Sequence, residues 1–403
     1  MDRRDFLLRV GALGCSAAAS PLVTPVALAD APGDNRLVVI ILRGAMDGLD
    51  ALRPYADPDY IALRPRLNAG DHIALSDRWG LHPALAPLMP LWQAGELGVM
   101  QAVSTPYRDK RSHFDGQDIL EAGTASRDSS SDGWLNRLLT VMPGVAGETA
   151  YAIGREQMLI LSGEAPVARW SPDAKLQISG QAQRLLDLVH HDDPLFRDAS
   201  AQAIAIAAQI ELEAAAGEAG EDPGAETPQM AQMMADIGNG KHVEVAQFAA
   251  SRLRGSTRIA SFSLGGWDTH QNQRNNLTRA LTSLSDTLLT LRTGLGPAWD
   301  KTAVLCMTEF GRTAFENGTR GTDHGTGGAL IYAGGAMRGG QVAGVWPGLA
   351  EADLYNRRDL MPTTDVRAVA GWAMQSLFGL DRSAIESTVF PGLDIGTDPG
   401  LML

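Results

Sequence analysis

The chain has 403 residues and a net charge of −13, since 47 aspartates and glutamates outnumber 34 lysines and arginines. An acidic chain without a basic run makes a poor nucleic-acid binder, so we expect no nucleic-acid partner. Its two cysteines are Cys15, inside a leader-like segment, and Cys306, inside an apolar run. This excludes a disulfide within the mature monomer and predicts that Cys306 is a small buried side chain.

Residues 1–29 have the features of a secretion leader. A twin-arginine pattern at residues 3–7 (RRDFL) is followed by a weakly apolar stretch and by a small-residue cleavage site at residues 27–29 (ALA). The stretch contains two prolines and is short for a membrane span. We predict a signal peptide that the twin-arginine export machinery recognises, and a periplasmic or secreted mature protein without stable membrane insertion. An ordinary N-terminal helix and a lipidated Cys15 are the alternatives.

Apolar runs predict five buried strands, at residues 37–42, 99–103, 259–262, 303–307 and 330–332. Leucines from Leu277 to Leu295 recur at steps of four and three, which predicts an amphipathic helix between the third and fourth runs. Such a helix is typical of the crossover in a βαβ unit. The fold class predicted for residues 30–403 is α/β, with a doubly wound, mostly parallel sheet flanked by helices.

Two further segments refine this prediction. The stretch at about 180–250 is rich in Ala, Glu and Gln, and it predicts a helical insertion or cap on the sheet domain, with an independent domain as the alternative. Near the carboxyl end, residues 362–365 (PTTD) precede a helical pattern. Either Thr363 or Thr364 is therefore predicted to cap that helix.

Two candidate site residues follow the first two strands. Asp47 lies in the turn after the first strand and could be a metal ligand, although Asp-Gly is common in turns. Ser112 lies between a basic segment and a helical pattern, where the positive end of the helix dipole favours a phosphate or sulfate group. If a metal lowers the pKa of its hydroxyl, Ser112 could be a catalytic nucleophile. A plain helix N-cap is the alternative.

The later strands are followed by acids and imidazoles in glycine-rich sequence. In an extended segment Asp268 and His270 point the same way and could hold one cation, although Asp268 could instead cap a helix. The other candidate ligands follow the Ala303 strand, and these are Glu309, Asp323 and His324. Together these donors suit Zn, Mn or a similar divalent metal ion at the carboxyl ends of the strands. Arg312 could be a catalytic residue that clamps an anionic group, or it could form a salt bridge with Glu309.

The motifs that carry these residues resemble those of a known bacterial family, and they lie at residues 42–49, 111–115 (RSHFD), 267–270 (WDTH), 308–312 (TEFGR) and 321–325 (GTDHG). The family is catalogued as domain of unknown function 1501, and the leader fits it. It resembles a distant branch of the alkaline phosphatase and sulfatase superfamily. That resemblance implies an alkaline-phosphatase-like sheet, two divalent metals and a nucleophile at a helix N-terminus.

By position, the resemblance implies Ser112 as nucleophile and Asp47 as the acid after the first strand. Asp268 and His270 match the pair of ligands on one metal. Glu309 matches an acid on the other metal, and the late histidine is His324, with Asp323 beside it. The order Glu309-Phe310 departs from the Asp-His of the superfamily, so one metal, a rearranged pair and no metal all stay open.

The resulting hypothesis is an exported metal-dependent hydrolase of phosphate or sulfate esters, acting on a small or polymeric anionic substrate. The alternative is a non-catalytic secreted binding or assembly protein that keeps the fold. A dinucleotide-dependent oxidoreductase is disfavoured, because no G-x-G-x-x-G motif follows the first strand.

Overall fold

The structure is a computed structural model that describes residues 33–68, 70–108, 111–126, 131–154, 158–172 and 240–403. The predicted signal peptide at residues 1–29 lies outside the described residues. So does most of the predicted helical insertion, of which only the last part, from residue 240, is described.

Short apolar runs form the strands. In chain order the strands are β1 (Arg36–Leu42), β2 (Leu52–Arg53), β3 (Ile73–Ala74), β4 (Gly80–Leu81), β5 (Leu97–Ser104), β6 (Ala150–Ile153), β7 (Ala168–Trp170), β8 (Ile259–Leu264), β9 (Thr302–Met307), β10 (Gly328–Ala333), β11 (Val342–Ala343) and β12 (Thr364–Asp365). The five strands expected from the sequence coincide with β1, β5, β8, β9 and β10.

The helices lie between the strands and after the last strand. The α-helices are α1 (Gly48–Ala51), α2 (Pro58–Leu63), α3 (Met89–Gln93), α4 (His113–Ala122), α5 (Trp134–Val141), α6 (Lys241–Leu253), α7 (Gln273–Leu295), α8 (Val366–Phe378) and α9 (Arg382–Ala384). Shorter 3-10 turns lie at Pro83–Leu88, Leu159–Leu161, Gly296–Lys301 and Glu351–Asp353, and a π-helical turn lies at Ile385–Val389. Of the described helices, none combines the length and the apolar character needed to cross a membrane.

Within the described residues, nine strands form the main sheet, in the order β11-β5-β10-β9-β1-β8-β6-β7, with β12 also paired to β5. Strands β9, β1, β8, β6 and β7 run parallel to one another. β10 is antiparallel to both of its neighbours, β9 and β5. The prediction of a mostly parallel sheet is confirmed, with β10 as the exception. A separate small sheet has the order β2-β4-β3.

Helices cover both faces of the sheet, as expected for a doubly wound fold. Alternate side chains of β1 belong to two different cores, since Val39 lies in one and Val38 in the other. The first core includes α5 and α8, and the second includes α6 and α7. Helix α7 joins β8 to β9 as predicted, but these two strands lie on either side of β1 rather than side by side.

One expected helix cap is wrong. Thr364 pairs with Val103 of β5, and neither it nor Thr363 is the residue that caps α8. The cap of α8 is Asp365, whose Oδ1 accepts a hydrogen bond of 2.9 Å from the backbone N–H of Arg367. A carboxylate is as good a cap as a hydroxyl, and here it sits one residue nearer to the helix. Cys306 is fully buried in β9, as expected.

Candidate metal centre

Four loops meet at one edge of the sheet. Strands β5, β8 and β9 end there, and β10 begins there because it runs in the opposite direction. His113 begins α4 after β5, Asp268 and His270 follow β8, Glu309 follows β9, and His324 precedes β10. Segments far apart in sequence therefore deliver acids and imidazoles to the same place, as expected for the ligand edge of an open α/β sheet.

Asp268 lies at the centre of the histidines. Its Oδ1 is 3.1 Å from His270 Nε2 and 3.4 Å from His324 Nε2, and its Oδ2 is 3.4 Å from His113 Nε2. Ligand atoms of His113, Asp268 and His324 all lie within 4.8 Å of one another. A carboxylate oxygen and imidazole nitrogens at this separation could hold one metal ion.

Each of the three histidines is oriented by a hydrogen bond at Nδ1. The partner of His113 is Glu309 Oε1 at 2.8 Å, that of His270 is Asp323 Oδ1 at 3.1 Å, and that of His324 is the carbonyl oxygen of residue 111 at 2.6 Å. A carbonyl or a carboxylate can only accept, so each Nδ1 carries the proton. When a ring is neutral, its Nε2 then carries the lone pair, and the three Nε2 atoms face Asp268, which is the arrangement that metal-binding histidines adopt.

Two observations are consistent with a cation at this donor set. The Nε2 atoms of His270 and His324 face each other at 2.8 Å, so two lone pairs repel unless a proton or a metal ion lies between them. His113 Nε2 is buried, and its contact with Asp268 Oδ2 is 3.4 Å long, which makes at best a weak hydrogen bond. A buried nitrogen held so weakly is costly, and a bound ion would satisfy it.

The acids of the cluster keep their negative charge. Burial opposes ionisation of Asp268, but hydrogen bonds from His113 and His324 and the charge of Arg312 hold its pKa well below the usual range. Burial likewise opposes ionisation of Glu309, and the hydrogen bond and charge of His113 lower the pKa of that carboxyl. Burial alone would lower the pKa of His113, but its bonds to Asp268 and Glu309 raise it to about 9. In the metal-free chain a proton on His113 therefore balances this negative charge.

Arg312 is a buried partner of Asp268. Its Nη1 donates to Asp268 Oδ1 at 2.8 Å, and its Nε and Nη2 donate to the hydroxyl and carbonyl oxygens of Thr322 at 3.3 and 2.5 Å. The guanidinium has 0% exposure. These contacts fix the central carboxylate, while the anion-clamping role expected for Arg312 stays a prediction. A salt bridge between Arg312 and Glu309, the other expectation, is absent among the ion pairs of the described residues.

Ser112 is the N-cap of α4. Its Oγ accepts from the backbone N–H of Asp115 at 3.4 Å, and its own N–H donates to the hydroxyl of Tyr107 at 2.9 Å. A cap bond of 3.4 Å is longer than an ordinary N–H···O bond, so the hydroxyl is held weakly. The cap expected as the alternative for Ser112 is present, and the structure places the hydroxyl one residue before His113.

A protein-family model described as "Protein of unknown function (DUF1501)" matches residues 34–389. The chain belongs to this family. The resemblance seen in its motifs is thereby confirmed over most of the chain. No curated protein matches the sequence.

Two solved structures are weakly similar to this DUF1501 chain. "Crystal structure of Ps i-CgsB" is 10% identical with a TM-score of 0.34, over 74% of this chain and 65% of that one, so less than two thirds of its length is matched. "Structure of alkaline phosphatase from the Antarctic bacterium TAB5" is 10% identical with a TM-score of 0.31, over 75% of this chain and 92% of that one. At TM-scores this low neither similarity supports an inference about activity.

Asp47 of this DUF1501 chain does not join the histidines. Its carboxylate has 1% exposure and pairs with Arg64, whose Nη1 lies 2.8 Å from Oδ2. It also accepts from the side-chain amide of Gln273 at 2.7 Å and caps α1 through the N–H groups of Leu49 and Asp50. The structure thus brings together Asp268, His270, Asp323 and His324, with Glu309 reaching them through His113, and it places Asp47 in a neighbouring buried network.

His113 is the site residue that the sequence interpretation left out. It stands next to Ser112 in one of the histidine-containing motifs, but a single histidine in the first turn of a helix has no typical ligand spacing, so the sequence predicts Ser112 and not His113 as the site residue there. Two signals could have found it. It is one of three histidines that lie in the glycine-rich motifs, and β5 is predicted to end at the same edge as β8 and β9.

Changing Glu309 to Gln is expected to weaken metal binding by about 10- to 100-fold, the usual effect of losing a carboxylate that orients a ligand histidine. Glu309 is fully buried and bonds His113 Nδ1, so the amide would no longer enforce the proton position on the ring. Titration of the apoprotein with Zn²⁺ measures the change. Glu121→Gln is the matched control, since Glu121 is also buried, and it pairs with Arg43 rather than with a ligand. Equal zinc affinities for the two variants would contradict the orienting role.

Proposed function

We propose that the chain is an exported, metal-dependent hydrolase of phosphate or sulfate esters that uses one divalent ion, Zn²⁺ or Mn²⁺. The observation that carries this proposal is the convergence of three histidine Nε2 atoms on Asp268, with each Nδ1 bonded to a protein acceptor. A divalent ion bound there would supply Lewis acidity to an ester oxygen and would stabilise the charge that develops on it.

The side chains divide into ligands and residues that orient them. His113, Asp268, His270 and His324 are proposed to hold the ion. The acids Glu309 and Asp323, which the family resemblance pointed to as ligands, are proposed instead to orient two of the imidazoles. Arg312 holds the Asp268 carboxylate in place. The site thus supports one ion rather than the pair that the resemblance implies.

Ser112 is proposed as the attacking group. It lies at the amino end of α4, next to the proposed ligand His113, and its hydroxyl is held only by the weak cap bond to Asp115 N–H. Its Oγ would form a bond to phosphorus or sulfur as the ester P–O or S–O bond breaks, and the Oγ proton would pass to the departing alcohol oxygen. Water would then break the bond between Oγ and the transferred group, which releases phosphate or sulfate and returns a proton to Oγ. The positive end of the helix dipole favours an anionic group at this place.

The location of the protein is part of the proposal. The twin-arginine pattern and the cleavage site at residues 27–29 support export by the twin-arginine machinery. The substrate is then an anionic ester of the periplasm or the exterior, small or polymeric. Mass spectrometry of protein isolated from the periplasm is expected to find an N-terminus at residue 30.

The test combines metal analysis with a substrate panel. Protein purified from the periplasm is expected to contain about one Zn or Mn per chain and to hydrolyse at least one of p-nitrophenyl phosphate, bis(p-nitrophenyl) phosphate and p-nitrophenyl sulfate. A chelator is expected to remove this activity, and the metal to restore it. Ser112→Ala is expected to lose activity by about 100-fold or more and to keep the metal.

Two results would count against this function. The parent protein could carry a metal and still hydrolyse the substrates of the panel no faster than a blank, as would Ser112→Ala. That result would favour a non-catalytic secreted binding or assembly role. If the protein is metal-free and cannot be loaded, the metal centre itself is refuted.

A further inference from the structure

Two arginines share one buried carboxylate close to the metal centre. Arg358 Nη1 lies 2.9 Å from Asp359 Oδ1, and Arg111 Nη2 lies 3.3 Å from Asp359 Oδ2. The same Oδ2 accepts from the hydroxyl of Thr326 at 2.8 Å. Asp359 has 0% exposure, so its charge is directed at the two guanidinium groups rather than at water.

Both arginines are also attached to His324. The backbone carbonyl of Arg111 accepts the Nδ1 proton of this histidine at 2.6 Å, and Arg358 Nη1 donates to the His324 carbonyl at 2.9 Å. One arginine thus holds the ring of a proposed ligand and the other holds its backbone. Arg111 adopts φ 51°, a left-handed conformation that a residue other than glycine rarely adopts, and such strain is typical of functional sites.

The pair retains positive charge and donor capacity. One carboxylate between two guanidinium groups neutralises only one of them. The side chains of Arg111 and Arg358 are 31% and 29% exposed, whereas Asp359 is fully buried. Arg111 Nε is a buried N–H that has no hydrogen-bond partner among the described residues.

Two other arginines near the metal centre do not combine partial exposure with contact to a proposed ligand histidine. Arg312 is completely buried, and its nitrogens bond Asp268 and Thr322. Arg108 donates to the carbonyl oxygens of Thr105 and Tyr107. Among the described residues, Arg111 and Arg358 therefore combine contact with a proposed ligand, partial exposure and a shared carboxylate.

The charge of the whole chain makes local cations, in addition to the proposed metal ion, favourable for binding an anion. At −13 overall, the protein repels an anion at long range, so an anionic substrate needs local cations to bind. A guanidinium presents parallel N–H donors that match two oxygens of a phosphate or sulfate. We propose that Arg111 and Arg358 form the binding site for the terminal oxyanion of the substrate, a phosphoryl or sulfuryl group, beside His324. This inference rests on the proposed function and adds the residues that select an anionic substrate.

The test measures anion binding without turnover. Zinc-loaded parent, Arg111→Met and Arg358→Met are titrated with inorganic phosphate and, separately, with sulfate by calorimetry, and their zinc content is measured. Each variant is expected to keep its zinc and to bind the anion about 10- to 100-fold more weakly, the effect of losing a charged hydrogen bond. Arg357→Met is the matched control. Arg357 is adjacent in sequence, is 79% exposed and pairs with Glu351, so its variant is expected to bind like the parent.

The outcomes separate this inference from the proposed function. If parent and Met variants keep zinc and bind both anions equally, or if the zinc-loaded parent binds neither, the inference is overturned. If the parent binds phosphate through these arginines but hydrolyses no ester, the inference stands and the hydrolase proposal fails. If a Met variant loses zinc, the variants Arg111→Lys and Arg358→Lys replace it in the test, because they keep the positive charge beside Asp359. These Lys variants are expected to bind phosphate and sulfate about tenfold more weakly than the parent, since an ammonium lacks the paired N–H donors of a guanidinium. Unchanged anion binding in the Lys variants would likewise overturn the inference.

Discussion

Replacing His324 with alanine is expected to remove the bound ion and, with it, any hydrolytic activity. His324 Nε2 lies 2.8 Å from His270 Nε2 and 3.4 Å from Asp268 Oδ1, so its loss opens the donor set on one side. A tightly bound zinc ion with four ligands is worth roughly 10–16 kcal/mol, or about 3 kcal/mol per ligand. The apparent affinity should therefore fall by about 100-fold or more.

The fold should survive this change. His324 Nδ1 donates to the carbonyl of residue 111, and its Nε2 contacts His270 and Asp268, so the free energy of unfolding of the apoprotein should fall by about 1–3 kcal/mol. Circular dichroism and denaturant unfolding of the apoproteins check this, and metal analysis after dialysis reports the loss of the ion. His242→Ala on α6 is the matched control, because His242 faces Asp286 and no residue of the metal centre. A His324→Ala protein that retains one ion per chain and parental activity would rule out the proposed site.

The fold could be predicted because its signals are local. Each strand of the centre of the sheet is a short, continuous apolar run, and the leucine repeat of α7 has the period of a buried helix. The sequence also predicts that the motifs meet at one edge of the sheet, since parallel strands end at the same edge. The antiparallel β10 was not foreseen, but its reversed direction is what brings His324 to that edge.

The sequence does not predict which residues of the site face the proposed ion and which orient the histidines. Whether a carboxylate binds a metal or orients a histidine depends on which atom it faces, and sequence spacing does not show this. Glu309 follows its strand as a ligand would, yet it faces His113 Nδ1. The carbonyl of Arg111 that orients His324 is invisible in any pattern of side chains. Such pairings arise from tertiary packing between loops about 200 residues apart in sequence.

For Asp47, the role implied by the family resemblance differs from the role that its contacts show. The resemblance implies a metal ligand, and the structure shows a buried ion pair with Arg64. Arg64 has 0% exposure, and it also donates to the carbonyl oxygens of Thr313 and Ala314. Its own burial would lower the pKa of Arg64, but the charge of Asp47 raises it. The two charges therefore satisfy each other without an ion.

Changing Asp47 to Ala is expected to destabilise the protein by about 3–5 kcal/mol, because it leaves the Arg64 charge buried and unpaired. Denaturant unfolding of the apoproteins measures this loss, and the zinc content of the loaded variant should stay at the parental value. The double variant Asp47→Ala/Arg64→Met removes both charges and should recover much of the stability, since no unpaired ion remains. A second ion at Asp47 would give the opposite pattern. The parent would bind two ions, Asp47→Ala would bind one, and the double variant would be no more stable than the single one.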